Sequence, residues 1–246
     1  MNRIFVVAAA AAALAVGRTE AQEAGPAVAR GPVAEPAPAP EASRVWHGTV
    51  VYRVRMGQDT TGADTAWWTV EGAQLVARDR MAFMGMTANV ESRMALPSLA
   101  PVAAAEMREG RGMHMESRIA YANGRATGTV TLPGSSPSPI DAEMPAGTYD
   151  MGSLASVVAA LPLRAGAVWT LPVYAPYVRR ILPMTVEVGA VEAVETAMGP
   201  VRAFRVRVTG GQVEMLYWFS EAEPRWEVRG EVPAMAIVIE ARSRTP

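Results

Sequence analysis

The chain contains no cysteine, no lysine and only two histidines, His47 and His114. Lack of cysteine removes disulfides, thiol nucleophiles and thiolate-ligated metals. Lack of lysine removes Schiff-base chemistry and the phosphate-binding lysine of a P-loop. All 23 basic side chains are therefore arginine, set against 24 acidic ones for a formal net charge of -1. The two signs are interleaved, with no like-charged block of the kind that marks a nucleic-acid tail or a polybasic membrane patch, so no nucleic-acid partner is expected. Neither histidine lies in a cluster with metal-ligand spacing. No Gly-x-Ser-x-Gly elbow presents a serine to one of them. Paired acids occur at Asp141/Glu143 and Glu221/Glu223. Both pairs fall in loop-like stretches rich in Pro or Ala, where carboxylates keep backbone in water. The absences point to a non-enzymatic protein without a cofactor.

What is present begins with an address. Met1-Asn2-Arg3 is positively charged, residues 4–17 form an uncharged apolar run, and Thr19-Glu20-Ala21 places small residues where a signal peptidase reads. Residues 1–21 are expected to be a signal peptide cleaved near Ala21, with the mature protein released into a periplasm. The run falls short of the roughly 20 residues of a membrane helix, so the mature chain is expected to lack a transmembrane segment. Without a cysteine after the cleavage point, lipid attachment there is excluded. Residues 22–43 are dominated by Ala, Pro, Gly and Glu, with Pro36, Pro38 and Pro40 alternating. They read as a disordered spacer with polyproline character. Residues 44–246 read as a single β-rich domain, and a chain that is 50% hydrophobic can bury a substantial core.

The domain shows period-two patterning. Over residues 49–56, Val50, Tyr52, Val54 and Met56 share one face while Arg53 and Arg55 take the other, the mark of a half-buried antiparallel strand. Residues 65–70 continue the pattern, and 74–83 and 87–94 show it more weakly. Residues 114–121 and 125–132 form a hairpin across Asn123-Gly124, a strong turn signal. Residues 133–139 read as a loop. Strands resume at 168–173, 184–188, 191–196, 201–209, 213–219, 226–232 and 235–241. One stretch breaks the pattern: Asp150 caps a helix whose residues Met151, Leu154, Val157, Val158 and Leu161 fall near helical spacing, with Pro162 as its stop. The fold class is mainly β (α+β), a curved antiparallel sheet or incomplete barrel with one short inserted helix near 150–161 acting as a cover.

Three stretches carry a family resemblance. They are Asp150-Met151-Gly152-Ser153-Leu154 through Leu161-Pro162-Leu163-Arg164-Ala165-Gly166 into Trp169; Met198-Gly199-Pro200-Val201-Arg202-Ala203-Phe204-Arg205-Val206; and Tyr217-Trp218-Phe219-Ser220 with Pro224 and Val228. In these the second half resembles a family of exported bacterial proteins known as a domain of unknown function, number 3108 in its series. The family's Tyr-rich opening with two spaced glycines is matched loosely by Tyr52, Gly57 and Gly62. The family is similar in outline to periplasmic lipoprotein carriers, whose curved sheet wraps an apolar cavity under helices. The resemblance implies that fold and is silent about chemistry.

Candidate site residues follow from side-chain type. Met81, Met84, Met86, Met94, Met107, Met113 and Met115 crowd the first half. Methionine fills irregular space and accepts ligands of varied shape, so Met81, Met84, Met86, Met113 and Met115 are expected to line a ligand surface; a plain methionine-rich core predicts much the same pattern. Trp67 and Trp218 are added as aromatic edges of the pocket. Met113-His114-Met115 also resembles a soft-metal motif suited to Cu(I), although on a regular strand His114 points away from the two methionines. Arg179-Arg180 beside Tyr177 reads as a solvated loop, with anion or headgroup binding as the alternative. The functional expectation is a non-enzymatic periplasmic protein that binds an apolar or lipid-like ligand on the concave face of the sheet. The alternatives are a cell-envelope assembly protein that binds a protein partner through a sheet edge, and a copper-handling protein.

Overall fold

A computed structural model describes residues 34–246; the expected signal segment lies outside the described residues. Its strands are β1 (Glu35–Pro36), β2 (Gly48–Met56), β3 (Asp59–Glu71), β4 (Gln74–Phe83), β5 (Met86–Ala95), β6 (Ala100–Gly110), β7 (Met113–Ala122), β8 (Arg125–Thr131), β9 (Ser138–Glu143) and β10 (Tyr149–Asp150). After a 3-10 turn and the helix α1 (Leu154–Ala159) come β11 (Val168–Ala175), β12 (Arg180–Thr196), β13 (Gly199–Thr209), β14 (Met215–Ser220), β15 (Glu227–Val232) and β16 (Ile237–Thr245). Strands β2 to β9 form one antiparallel meander and β11 to β16 another. The pairing of β16 with β2 joins them into a single sheet.

Alternation decides which face is buried. Val50, Tyr52 and Val54 of β2 are wholly buried, while Arg53 and Arg55 reach out to Glu240 at 2.8 and 2.7 Å. The outer face continues this way: Arg78 and Arg93 each bridge Glu71 and Glu91 at 2.7 to 3.1 Å. Guanidinium forks can hold two carboxylates at once, which a lysine ammonium does less well. Such exposed pairs contribute only about 0.2–1 kcal/mol each, so the inner face must carry the stability.

The sheet bends without closing. Register shifts at Val54/Arg55, Arg93/Met94, Val188/Val191, Trp218/Phe219 and Ala241/Ser243 mark bulges, which kink and twist strands. At the two ends of the sheet, Ile119, Ala126, Val130 and Ile140 of β7–β9 pack on Tyr174 of β11, with Tyr177 and Ile181 beside them. Arg179 also donates a hydrogen bond to Ser138 of β9. Among the described residues no β9 ladder crosses this seam. Side chains, not backbone hydrogen bonds, bring the ends together.

Inside the curve lies α1. All six of its residues are buried, as is Leu161 just beyond. A helix that is apolar on every side belongs in a core. The short inserted helix that the sequence predicts is thus part of the core. Residues 34–43 also differ from a disordered spacer. β1 pairs in parallel with β11, Ala42 is buried, and the Glu41 amide donates to the Ala160 carbonyl at 3.0 Å. A proline-rich segment can still dock where its few free amides find acceptors, and this one finds them at the edge of β11 and the end of α1.

Gly128 in the middle of β8 marks one place where backbone approaches backbone. Its φ is 153°, and an added Cβ would sit 1.9 Å from the Arg118 carbonyl oxygen. Gly128→Ala is expected to lower the free energy of unfolding by about 2–3 kcal/mol, measured by urea denaturation of the mature chain. A loss below ~0.5 kcal/mol would show that β7 and β8 are not held this closely.

Candidate functional site

Register places the methionines together. Phe83, Met86, Gly110 and Met113 stand in one row across β4 to β7, and Met81, Ala88, Arg108 and Met115 in the next. Met81, Met86 and Met115 are buried and face inward with their rows. Met113 is half-buried at the end of its row, and Met84 packs against the core from the β4–β5 turn. Four of the five candidate methionines thus share the inner face of β4–β7. His114 lies on the opposite face, 48% exposed, with Nδ1 3.4 Å from Glu109 and Nε2 3.8 Å from Glu116. Among the described residues no group of three His, Asp or Glu side chains could hold a metal ion.

The two candidate tryptophans lie elsewhere. Trp67 pairs with Thr49 and Arg78 and is half-buried on the outer face; its neighbour Trp68 faces α1, donating from Nε1 to Ser156 Oγ at 3.1 Å. Trp218 sits between its cross-strand neighbours Arg205 and Arg229, whose guanidinium carbons lie 5.9 and 5.4 Å from its ring. Its indole donates to Glu192. That packing belongs to the outer face.

A polar stripe interrupts the apolar interior at the seam. Glu106 and Arg108 occupy inward positions of β6, where Val90, Ser117, Ala88 and Met115 are their neighbours. Arg108 is fully buried, bound to Glu106 and stacked 5.4 Å over the Tyr177 ring. Farther along β7, Tyr121 donates to Asp150 Oδ1, and its ring meets Tyr174 edge-on at 6.4 Å. The other carboxylate oxygen of Asp150 accepts from the Gly152 amide at 2.7 Å, capping the turn that leads into α1. Asp150 thereby ties the start of the helix to the opposite end of the sheet.

Burial sets the electrostatics of this stripe. It pushes the Asp150 carboxyl up to about 6, against the opposing pull of the bonds from Tyr121 and Gly152. Burial, then the charge of Asp150, holds the Tyr121 phenol well above its ordinary value. Burial and the charge of Glu106 do the same for Tyr177. The two pairs of acids noted in the sequence are exposed, Asp141 and Glu143 on β9 and Glu221 and Glu223 in the turn between β14 and β15.

The far end of α1 is held by Arg225. Its Nη1 donates to the carbonyls of Ala159 and Leu161 at 3.3 and 3.1 Å, and its Nη2 pairs with Glu223 at 2.6 Å. A cation at the carbonyl end of a helix satisfies groups that the helix itself leaves open. The Arg225 amide in turn donates to the Arg44 carbonyl at 2.6 Å, and its carbonyl accepts from Trp46.

The family described as "Protein of unknown function (DUF3108)" matches residues 46–236. The chain belongs to that family. As a member of DUF3108 it shares its fold with the crystal structure of a β-barrel-like protein of the domain of unknown function DUF1849 from Brucella abortus. The two align with a TM-score of 0.52 at 11% identity over 82% of this chain and 98% of that one. A candidate lipoprotein from Parabacteroides distasonis aligns over 85% of this chain and 100% of that one, at 10% identity and a TM-score of 0.31. No curated protein matches this DUF3108 chain.

Because burial raises the Asp150 carboxyl above its unfolded value near 3.8, the folded state binds the extra proton between pH 4 and pH 6. The contribution of this group to stability is therefore greatest below pH 4 and falls as pH rises through about 6. Asp150→Asn is expected to remove that fall. Comparing urea unfolding at pH 4 and pH 7, the pH-dependent loss should be smaller in the variant by on the order of 1–3 kcal/mol. Parallel curves for the two proteins would place the raised carboxyl elsewhere.

Proposed function

We propose that the protein is an exported, non-enzymatic binding protein that takes an apolar or lipid-like molecule onto the inner face of its sheet, in the place that α1 fills in this structure. The observation that carries the reading is α1 itself. It is a short segment, apolar on all sides, inserted against the inner face and held by three polar ties: Asp150 to Tyr121, Trp68 to Ser156, and Arg225 to the carbonyl end. A hairpin meander needs no such insert to satisfy its backbone. Its inner face needs something apolar on it, and a chain segment or a ligand can serve. Withdrawal of α1 would uncover the apolar end of the sheet lined by Trp68 and Phe219, and Met81, Met86 and Met115 stand farther along the same inner face. The seam offers a route, since parting the sheet ends breaks side-chain contacts and no ladder. The apolar start of the sequence supports export.

A protein partner added at the sheet edge is the second reading. β9 carries Pro139, Asp141 and Glu143, the proline and charges that keep edge strands from pairing with other chains. That counts against the edge as a docking strand.

Binding that requires α1 to leave is weakened by the stability of the inserted state, and apparent affinity rises as that state is destabilised. Ser156→Ala removes the acceptor for the Trp68 indole, worth about 1 kcal/mol, and touches little of the apolar face. In titrations of the mature chain with diphenylhexatriene, an uncharged apolar fluorophore, the variant is expected to bind about five-fold more tightly than wild type. The absence of any diphenylhexatriene binding in both proteins would overturn the reading.

A further inference from the structure

The carbonyl end of α1 depends on the segment that runs ahead of β2. Three successive carbonyls, those of Ala159, Ala160 and Leu161, close the helix. Arg225 Nη1 takes the first and the third, and the Glu41 amide takes the second at 3.0 Å. Arg225 is itself clasped by the same segment. Its amide donates to the Arg44 carbonyl, its carbonyl accepts from the Trp46 amide at 2.9 Å, and its Nη2 shares Glu223 with Arg44 Nη1. Residues 34–46 thus supply one cap directly and hold the residue that supplies the other two. A helix of six residues has too short a ladder to persist without such help at its ends.

The segment's own attachment is thin. Pro36, Pro38 and Pro40 have no amide to donate, and β1 pairs with β11 over two residues only. Outside that pairing, among the described residues, its backbone is joined to the rest of the protein through Ala37, Glu41, Arg44 and Trp46. Ala42 and Val45 are buried in the core, but Glu35, Pro36, Pro38, Ala39, Glu41 and Ser43 are exposed. A hollow of about 10 Å³ lies where the segment meets the helix, bounded by Val45 and Trp46 on one side and Ala155, Ser156 and Ala159 on the other. The helix therefore presents small side chains there. Segments with few backbone bonds and much exposed chain open at lower free energy than strands held in a ladder.

We infer that residues 34–46 are a latch: docked on β11 and Arg225 they hold α1 on the inner face, and their lifting uncaps the helix and lets it leave. The inference rests on the binding reading above and adds what controls that site. Lifting the segment removes the Glu41 cap and the clasp on Arg225 together. Parting of the seam touches neither. The carbonyl end is accordingly the end at which release begins.

The chain has no cysteine, so one introduced pair can lock the latch. Pro36 and Thr170 are partners in parallel register, and neighbouring strands stand about 4.8 Å apart, within reach of a disulfide. In the Pro36→Cys, Thr170→Cys variant, the oxidised mature chain is expected to bind diphenylhexatriene about tenfold more weakly than the same chain after reduction. Equal affinity of the two forms overturns the latch and leaves the binding reading intact. Ala42→Glu acts in the opposite direction, because a carboxylate is costly to keep at that buried position. In hydrogen–deuterium exchange of this variant, residues 154–161 are expected to lose protection about tenfold together with residues 34–46, while β4 to β7 keep theirs. Full protection of 154–161 beside an exchanging 34–46 overturns the latch whether or not a ligand binds. Should the variant fail to fold or leave 34–46 docked, the oxidised and reduced forms of the cysteine variant are compared instead. Slower exchange of 154–161 in the oxidised form is then expected, and identical exchange overturns the latch. Absence of diphenylhexatriene binding in every form overturns the binding reading, and exchange alone then decides the latch.

Discussion

A large antiparallel sheet that curls but does not close must bury its inner face with something other than its own strands. Everything distinctive in this protein follows from that constraint. Hydrogen bonds satisfy the backbone of β2 to β9 and β11 to β16, yet leave Leu75, Met94, Val186, Val206 and their neighbours needing an apolar partner. The chain supplies α1. Because the helix is short, its own ladder contributes little, and it is held in place by what it touches. Arg225 takes the carbonyl end, Trp68 the middle, and Asp150 the turn at the start.

The seam is where this solution is least settled. Over much of the outer face, polar groups form arginine–glutamate pairs. At the seam, Glu106, Arg108, Tyr121, Asp150, Tyr174 and Tyr177 form a polar stripe in which Glu106 binds Arg108 and Tyr121 binds Asp150. A scaffold selected only for stability would put Leu and Val there, since replacing buried ion pairs by apolar side chains is commonly neutral or stabilising. Departures from local consistency of this kind mark places where something besides stability is being served. The stripe also carries Asp150, whose carboxyl burial pushes up to about 6, and that acid caps the turn into the helix.

Much of the fold was legible in the residues. The alternation of Val50, Tyr52 and Val54 against Arg53 and Arg55 fixes the faces of β2. Asn123 and Gly124, with φ of 52° and 69°, make the turn their dipeptide announces. Asp150 caps where its spacing to the apolar run places it, though the first turn is 3-10 and α1 proper begins at Leu154. Besides the two-residue β1 and β10, two longer strands were not legible. β6 is built on Ala103-Ala104-Ala105, which has no strand preference of its own; pairing with β5 and β7 on both sides imposes it. β9 begins within what reads as a Ser/Pro loop. Residues 184–188 and 191–196, read as two strands, are one strand, β12, kinked by a bulge at Gly189-Ala190.

The site was legible in part, and the missing part has a definite cause. Methionine type and spacing drew attention to residues that share the inner face, but spacing could not say that Trp68 rather than Trp67 turns towards α1. The polar stripe gave no motif at all. Glu106 and Arg108 alternate with Ala105 and Met107, and that pattern reads equally well as a strand with its charges in water. Only the register, which sets Glu106 between Val90 and Ser117, turns those charges inward. Their partners come from β10, β11 and the turn after it, some 40 to 70 residues away in the chain, so no local window contains the stripe. Asp150 shows the same division. Its role as a cap is local and could be read, whereas its bond to Tyr121 depends on how far the sheet curls. The interaction that joins the helix to the seam is therefore a property of the fold's curvature, and any change that flattens the sheet releases the helix and the stripe together.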